Sequence, residues 1–152
     1  MLQAILATAR HGVVGDKGGL PWPRIAEDMR RFRALTMGHA CIVGARTFAT
    51  LPALPGRFLV VVSRTMAPAK GQVLARSIEA ALAMARALDA EPFVIGGAEI
   101  YRLAMPCVER VYLTEIDREV AGDTRFDFDR TGFRETAREQ VCADVAFVTL
   151  ER

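Results

Sequence analysis

Short apolar runs, separated by polar or glycine-rich segments, divide the chain and predict its strands. These runs are short and rich in β-branched or small apolar residues, which favours buried strands over helices. They lie at 2–9, 40–44, 58–63, 92–97 and 110–116. The final stretches, 133–140 and 144–152, alternate between apolar and polar residues and predict a closing antiparallel hairpin.

Helical patterns lie between several of these runs. Residues 25–36 have a helical period, Ser77 can cap a helix that runs to about Leu88, and a third helix is predicted at 98–105. Residues 10–24 are rich in Gly and Pro and predict a long loop, and 51–56 is a proline-punctuated turn. Alternating strands and helices followed by strands indicate an α/β sheet, mostly parallel, with an antiparallel C-terminal edge.

Composition narrows the functional classes. The 152 residues predict a single domain, and the 51% hydrophobic and 25% charged fractions fit an ordinary globular core. No apolar run reaches the roughly 18 residues of a membrane span. The N-terminus also lacks a basic segment before its apolar run, so we expect a cytoplasmic protein without a membrane partner. A net charge of +2 is too mild to indicate a nucleic-acid partner.

The three cysteines are Cys41, Cys107 and Cys142, an odd number with no close pairing. They are predicted to be small buried side chains in a reducing compartment. No metal site is expected, because the sequence has neither a CxxC nor an HxxxH pattern.

Two adjacent acids in the first predicted helix differ in their surroundings. Ile25, Met29, Phe32 and Leu35 recur at helical spacing and mark one apolar face. Asp28 is placed on that face by its i−3, i+4 and i+7 neighbours. A carboxylate on an apolar face needs a partner or a function, because burying an unpaired charge is costly.

Glu27, in contrast, is predicted to lie on the solvated face with Arg24, Arg30 and Arg31. Three interpretations of Asp28 remain open at this point. It could interact with the helix dipole, pair with Arg31 at i+3, or accept two adjacent N–H donors of a ligand.

An ordered series of motifs covers nearly the whole chain and resembles the dihydrofolate reductase family. An acid lies six residues beyond Trp22 of GLPW, and Phe32 and Thr36 follow it. The further motifs are IVGARTF (42–48), LPGR (54–57), VVSRT (61–65), VIGGAEIY (94–101), YLTEID (112–117) and GDTRF (122–126). The resemblance implies one domain over residues 1–152, built on a mostly parallel eight-stranded sheet with an antiparallel C-terminal edge and about four flanking helices.

The resemblance also implies an activity, the NADPH-dependent reduction of 7,8-dihydrofolate to 5,6,7,8-tetrahydrofolate by a monomer. Asp28 matches the acid that binds the pterin N3–H and 2-amino group and promotes protonation at N5. Thr114 matches the hydroxyl that hydrogen-bonds this acid. Leu20 and Trp22 match the remaining residues of the catalytic centre.

Further residues match the family's substrate site. Phe32 matches the aromatic ring against the pterin and benzoyl groups, and Arg57 matches the fork for the glutamate α-carboxylate. The matching apolar residues of the site are Ile5, Leu6, Ala7, Leu51 and Leu54.

The cofactor implied by the resemblance is NADPH, although the chain has no GxGxxG fingerprint. The loop 12–19 matches the flexible segment that closes over nicotinamide. Gly96-Gly97 matches a cis bond that lets the backbone approach the pyrophosphate. The matching cofactor residues are Ala7, Val14, Gly15, Gly18, Gly19, Leu20, Gly44, Arg46, Thr47, Ser63, Arg64, Arg76, Gly96, Gly97, Ala98, Glu99, Ile100 and Tyr101.

The chain departs from the family pattern at two places. Ala45 stands where the family usually has a basic residue, which removes one phosphate contact, and Pro52-Ala53 stands where another basic residue often precedes LPGR. The rival interpretations are another NADPH-dependent pterin or riboflavin-precursor reductase of the same fold, and a non-catalytic nucleotide- or RNA-binding module. Asp28 together with Arg57 disfavours the riboflavin-precursor reductase, because that substrate has no glutamate tail.

Overall fold

A computed structural model of the protein describes residues 1–68 and 72–152. Within them, eight strands form one sheet, in the order β5-β4-β3-β6-β1-β7-β10-β9, and β2 and β8 form a separate pair. The strands are β1 (Gln3–Thr8), β2 (Val13–Gly15), β3 (Ala40–Gly44), β4 (Phe58–Val62), β5 (Val73–Ala75), β6 (Phe93–Gly96), β7 (Arg110–Ile116), β8 (Thr124–Arg125), β9 (Arg134–Cys142) and β10 (Val145–Glu151).

The strand directions confirm the fold expected from the sequence. The pairs from β5 across to β7 are parallel, while β10 and β9 are antiparallel. The apolar runs did not reveal three short strands, β2, β5 and the two-residue β8. The three residues of β5 are too few to show a period, and β2 lies inside the segment predicted as a loop, where it pairs with β8.

Four α-helices connect the strands in the described residues. They are α1 (Ala26–Thr36), α2 (Ala45–Phe48), α3 (Ile78–Leu88) and α4 (Ala98–Ala104). The predicted cap of α3 is confirmed, because the Ser77 hydroxyl accepts a hydrogen bond of 3.1 Å from the Ala80 N–H. Helix α1 begins one residue later than predicted, after Ile25.

The two faces of the sheet carry separate apolar clusters. On one face, Leu6 of β1 and Leu113 of β7 pack with side chains of α3 and α4. On the other face, Ile5 of β1 packs with Phe32 and Leu35 of α1. Alternation along each strand sends neighbouring side chains to opposite faces, so β1 contributes to both clusters. Because the central strands are parallel, their carboxyl ends meet at one edge, which positions the site described below.

The cysteine prediction is confirmed at one position and wrong at two. Cys41 is buried in β3, whereas Cys107 and Cys142 are exposed. Cys107 ends a short 3-10 turn and Cys142 ends the edge strand β9, so neither lies under a covering layer. Among residues 1–68 and 72–152, no group of three or more His, Cys, Asp or Glu side chains is arranged to hold a metal ion.

The helices of this fold are short. Within the described part of the chain, none of them is long and apolar enough to cross a membrane.

Asp89 links the amino ends of two neighbouring strands. Its carboxylate accepts hydrogen bonds of 2.9 Å from the backbone N–H groups of Ala40 and Glu91, and it lies 2.8 Å from the ring Nδ1 of His39. Burial raises the pKa of Asp89, but these hydrogen bonds outweigh burial and hold the pKa below its usual value. The carboxylate therefore stabilises the junction between β3 and β6 in its ionised form.

We expect Asp89→Ala to lower the free energy of unfolding by about 1.5–3 kcal/mol at pH 7, the contribution of hydrogen bonds to a charged group. A depressed folded pKa contributes stability above the unfolded pKa of about 3.9, and this contribution is lost as pH falls through the folded pKa. The difference from wild type should therefore shrink below about pH 4. Urea unfolding at several pH values measures it, with exposed Glu91→Ala as the control. A difference that stays constant down to pH 3 would contradict an ionic contribution.

Candidate active site

The structure separates the two adjacent acids as the helical spacing predicts. Asp28 is half-buried, whereas Glu27 is exposed and lies 3.9 Å from Arg30 on the solvated side of α1. The predicted phase of this helix is therefore confirmed. The Asp28 carboxylate faces the sheet at the carboxyl ends of β1 and β7.

The Asp28 carboxylate is bound to the sheet through Thr114. Thr114 is 1% exposed, and its hydroxyl donates a hydrogen bond of 2.6 Å to Asp28 Oδ1. Thr114 is in register with Ala7, so the acid lies beside the central strand β1. Burial raises the pKa of Asp28, and the Thr114 hydroxyl and the charge of Arg31 oppose that rise.

Arg31 does not occupy the place predicted for it beside Glu27. Its guanidinium carbon lies 4.4 Å from the ring centre of Phe147 and 5.5 Å from that of Tyr112. Its Nη1 donates to the backbone oxygen of Leu113 at 3.3 Å. Helical spacing could not predict this position of Arg31, because Phe147 lies more than a hundred residues away on β10.

An apolar wall lies beside Asp28, and we define it by Ile5, Phe32, Leu51 and Leu54. These four side chains belong to one cluster on the α1 face of the sheet. The structure thus brings together four of the residues that the resemblance assigns to the substrate.

Two neighbours of Ile5 on β1, Leu6 and Ala7, belong to apolar clusters other than the one that contains the apolar wall. Ala7 is on the same face and packs with the cluster of buried Trp22 and Ile25. Leu6 points to the opposite face and is 5% exposed in the other core cluster. The side chain of Leu6 therefore does not line the apolar wall.

Arg57 lies where α1 ends and β4 begins. Its Nη1 is 3.5 Å from the Thr36 hydroxyl, and its buried Nε has no hydrogen-bond partner in the described structure. The turn before it favours glycine, because Gly56 has φ +81°, a backbone conformation that other residues rarely adopt. The guanidinium thus has unused donors at the far end of α1 from Asp28.

A glycine cradle, Gly44 with Gly96 and Gly97, lies at the carboxyl ends of the neighbouring strands β3 and β6. The Gly96-Gly97 peptide bond is cis, as the resemblance implies. A Cβ on Gly97 would lie 2.7 Å from the Thr47 hydroxyl, and one on Gly44 would lie 3.0 Å from Ile100. These glycines therefore allow α2 and α4 to pack closely against the strand ends, and Gly97 is the partly exposed one of the three.

The helix after the cradle supplies two buried side chains. Ile100 belongs to the core cluster, and the Tyr101 hydroxyl donates a hydrogen bond of 2.7 Å to the Ile5 carbonyl. Burial raises the pKa of Tyr101. These side chains therefore hold β1 and α4 together, while Ala98 and exposed Glu99 lie at the start of α4 next to the cradle.

A basic turn follows β4. The Ser63 hydroxyl accepts hydrogen bonds from the N–H groups of Thr65 and Met66, at 3.3 and 2.9 Å. Arg76 donates to the carbonyl oxygens of Ser63 and Met66, at 3.2 and 2.7 Å, so it braces this turn. Arg64 is exposed on the turn, and Arg46 is exposed on α2.

The segment predicted to close over nicotinamide is a tight turn tied to a second loop. Asp16 and Gly19 form a bridge, with Gly18 at φ +82°, and the Lys17 N–H donates to Asp123 at 3.0 Å. Leu20, the next residue along the chain, is 52% exposed. Val14 and Gly15 lie before this turn in β2.

The whole chain matches one protein family. A family model described as dihydrofolate reductase matches residues 1–152. The type 3 dihydrofolate reductase of Salmonella typhimurium is 38% identical over 161 residues, which cover 100% of this chain and 98% of the relative. The dihydrofolate reductase of Mycobacterium leprae (strain TN) is 43% identical over 120 residues, covering 74% of this chain and 70% of the relative.

A solved structure has the same fold. It is a dihydrofolate reductase from Enterococcus faecalis complexed with NADP(H) and RAB-propyl, with a TM-score of 0.89 and 27% sequence identity. The similarity covers 100% of this chain and 96% of that chain. The fold, the ordered motifs and these relatives agree, and the chain belongs to the dihydrofolate reductase family.

Proposed function

We propose that this chain catalyses the NADPH-dependent reduction of 7,8-dihydrofolate to 5,6,7,8-tetrahydrofolate. The observation that carries the proposal is the half-buried Asp28 carboxylate, bound by Thr114 at 2.6 Å beside the apolar wall. We further propose that the whole chain acts as one domain, as a monomer in the cytoplasm. Its activity is tested by mixing it with NADPH and dihydrofolate and following the loss of reduced-nicotinamide absorbance.

Asp28 is suited to hold the pterin ring. A carboxylate can accept several hydrogen bonds, and Thr114 uses only one position on Oδ1. The remaining positions can accept the N3–H and the 2-amino group of a pterin side by side. The apolar wall then covers the ring with Phe32 and Ile5 and excludes water.

The same carboxylate supports the proton transfer. Reduction adds a hydride to C6 and a proton to N5 of the C=N bond of dihydrofolate. A negative charge at the pterin edge raises the proton affinity of the ring, and a water molecule is the proposed proton carrier. Thr114 fixes the orientation of the carboxylate, so that the charge stays at this edge.

The residues at the glycine cradle and the basic turn fit the NADPH assignment. When bound, NADPH supplies the hydride from nicotinamide C4. The partly exposed Gly97, at the start of α4, is proposed to let the pyrophosphate approach the backbone, because it has no side chain to hold a ligand away. Ser63 and Arg64 are proposed to hold the 2′-phosphate, and Arg76 keeps their turn in place through two carbonyl groups.

Arg57 is proposed to bind the α-carboxylate of the glutamate tail. Its Nε, which has no hydrogen-bond partner among the described residues, and its planar fork suit a bidentate carboxylate. This favours a folate over a riboflavin precursor, which carries no such tail. A nucleic-acid-binding module is disfavoured, because the half-buried Asp28 carboxylate beside an apolar wall would repel phosphates instead of attracting them.

We expect Asp28→Asn to slow hydride transfer by roughly 10²–10⁴-fold near neutral pH, because it keeps the shape of the side chain and removes its charge. The loss should shrink as pH falls, since bulk acid can then supply the proton. Single-turnover kinetics measures the chemical step without interference from product release. As a matched control, Glu27→Gln should change the rate by less than about twofold. If Glu27→Gln greatly slowed hydride transfer and Asp28→Asn left its rate nearly normal, the site assignment would be wrong.

We expect Arg57→Ala to weaken dihydrofolate binding by roughly ten- to hundredfold, the size of a lost charge-assisted hydrogen bond. Binding of a pteridine without a glutamate should change little. The two dissociation constants are compared by fluorescence titration, and exposed Arg33→Ala on α1 serves as the control. Matched losses for both ligands would mean that Arg57 acts through folding.

We expect Arg64→Ala to weaken NADPH binding by roughly ten- to hundredfold and to leave NADH binding nearly unchanged. The 2′-phosphate is present only in NADPH, so the ratio of the two dissociation constants isolates that contact. Arg86→Ala, on the exposed side of α3, is the control for a general change in charge. Equal losses for both cofactors would remove Arg64 from the 2′-phosphate site.

A further inference from the structure

Arg31 occupies an unusual position for a charged helix residue. It lies three residues beyond Asp28 on α1 and turns toward the sheet, whereas Arg30 beside it is exposed. Its guanidinium lies over the Phe147 ring at 4.4 Å and near the Tyr112 ring at 5.5 Å. Stacking on two aromatic rings fixes the position of a planar cation.

A backbone contact places this cation next to the partner of Asp28. Arg31 Nη1 donates to the Leu113 carbonyl at 3.3 Å, and the following residue, Thr114, donates to Asp28 at 2.6 Å. The cation and the carboxylate are therefore attached to adjacent residues of β7. A charge held in this way acts on its neighbour through a partly desolvated region, where screening is weaker than in bulk water.

The other ionisable groups around this pair are few in the described structure. Burial and, to a smaller extent, the charge of Asp28 raise the pKa of Tyr101 on α4, whose hydroxyl is neutral and donates to the Ile5 carbonyl. Tyr112 of β7 and Glu139 of β9 act on Arg31. Two groups lower the pKa of Asp28 against the effect of burial, the neutral hydroxyl of Thr114 and the positive charge of Arg31.

We propose that Arg31 is a positioning residue for the reaction, which keeps the Asp28 carboxylate ionised from its seat on Phe147 and Tyr112. The inference rests on the proposed role of Asp28 in holding the pterin. Burial alone would favour the neutral, protonated form of Asp28. In that form one carboxyl oxygen carries a proton, so the side chain can no longer accept both N–H donors of the pterin edge. Arg31 thus extends substrate binding toward lower pH.

The same positive charge has an opposite effect on the chemical step. It disfavours a proton at N5 of the bound ring, since a cation lowers the proton affinity of a nearby base. Removing the charge should weaken pterin binding on the acid side and should also move the decline of hydride transfer to higher pH. A purely structural arginine would instead lower the rate by a similar factor at every pH.

The direct test follows the ionisation of Asp28 in the free protein. Carboxyl ¹³C resonances of labelled aspartate are titrated, with Asp28 assigned from Asp28→Asn. Arg31→Gln removes the charge and keeps an N–H donor for the Leu113 carbonyl, Arg31→Met removes both, and Arg31→Lys keeps the charge. Exposed Arg30→Gln makes the same change in net charge on the other side of α1.

At a pH within the titration, Arg31→Gln should lower the ratio of ionised to neutral Asp28 by roughly three- to tenfold. Arg30→Gln should lower it by less than about 1.5-fold, and Arg31→Lys should restore most of the wild-type ratio. If Arg31→Met does not fold, Arg31→Gln alone decides the result. An unchanged ratio in a folded neutral variant, or an equal change in Arg30→Gln, would overturn the proposal.

This titration needs no substrate, so its outcome is separate from that of the proposed function. A protein that does not reduce dihydrofolate, but whose Asp28 responds to Arg31, would refute the activity and keep the electrostatic coupling. A reductase whose Asp28 does not respond would keep the activity and refute the coupling. In an active enzyme, single-turnover rates of Arg31→Gln should decline at higher pH than those of wild type. A uniform loss at all pH values would count against the proposal.

Discussion

The hydrogen bond between Thr114 and Asp28 is the interaction on which the candidate site depends. It joins α1 to β7 across 86 residues of sequence and holds a carboxylate in a partly desolvated position. Water would stabilise that charge better than an apolar face does, so the position is costly unless other groups favour the anion. The buried Thr114 hydroxyl and the nearby Arg31 charge do so. Binding a pterin would add two more donors, so the ligand completes a site that the fold satisfies only in part.

The parallel sheet explains why the other parts of the site lie nearby. Strands β3, β6, β1 and β7 end at the same edge, so a single edge presents Gly44, the Gly96-Gly97 bond and Thr114. The core behind this edge is filled from the opposite face, where Leu6 and Leu113 pack with α3 and α4. Side-chain alternation therefore lets the central strands support the core and line the candidate site at once.

The sequence predicts local features better than distant contacts, and the reason is physical. Seven long strands and the inward phase of Asp28 follow from the period of a few neighbouring side chains. The strand β5 has three residues and β2 has three, too few for a period. The exposure of Cys107 depends on what covers a surface turn, which composition does not encode. The seat of Arg31 depends on Phe147, and helical spacing carries no information about a strand that far away.

The candidate site has an acidic end and a basic end along α1, and this arrangement limits which ligands can fit it. Asp28 lies in the first turn of the helix, and Arg57 contacts Thr36 at its last residue. Asp28 and Thr36 are eight residues apart, so a rise of 1.5 Å per residue separates them by about 12 Å along the helix axis. The apolar wall runs between the Asp28 carboxylate, which can accept N–H groups, and the Arg57 guanidinium, whose Nε has no partner in the part of the chain that the structure describes. A compact ligand could satisfy only one end. An elongated molecule with N–H donors at one end, an apolar middle and an anion at the other would satisfy both, and dihydrofolate has that arrangement.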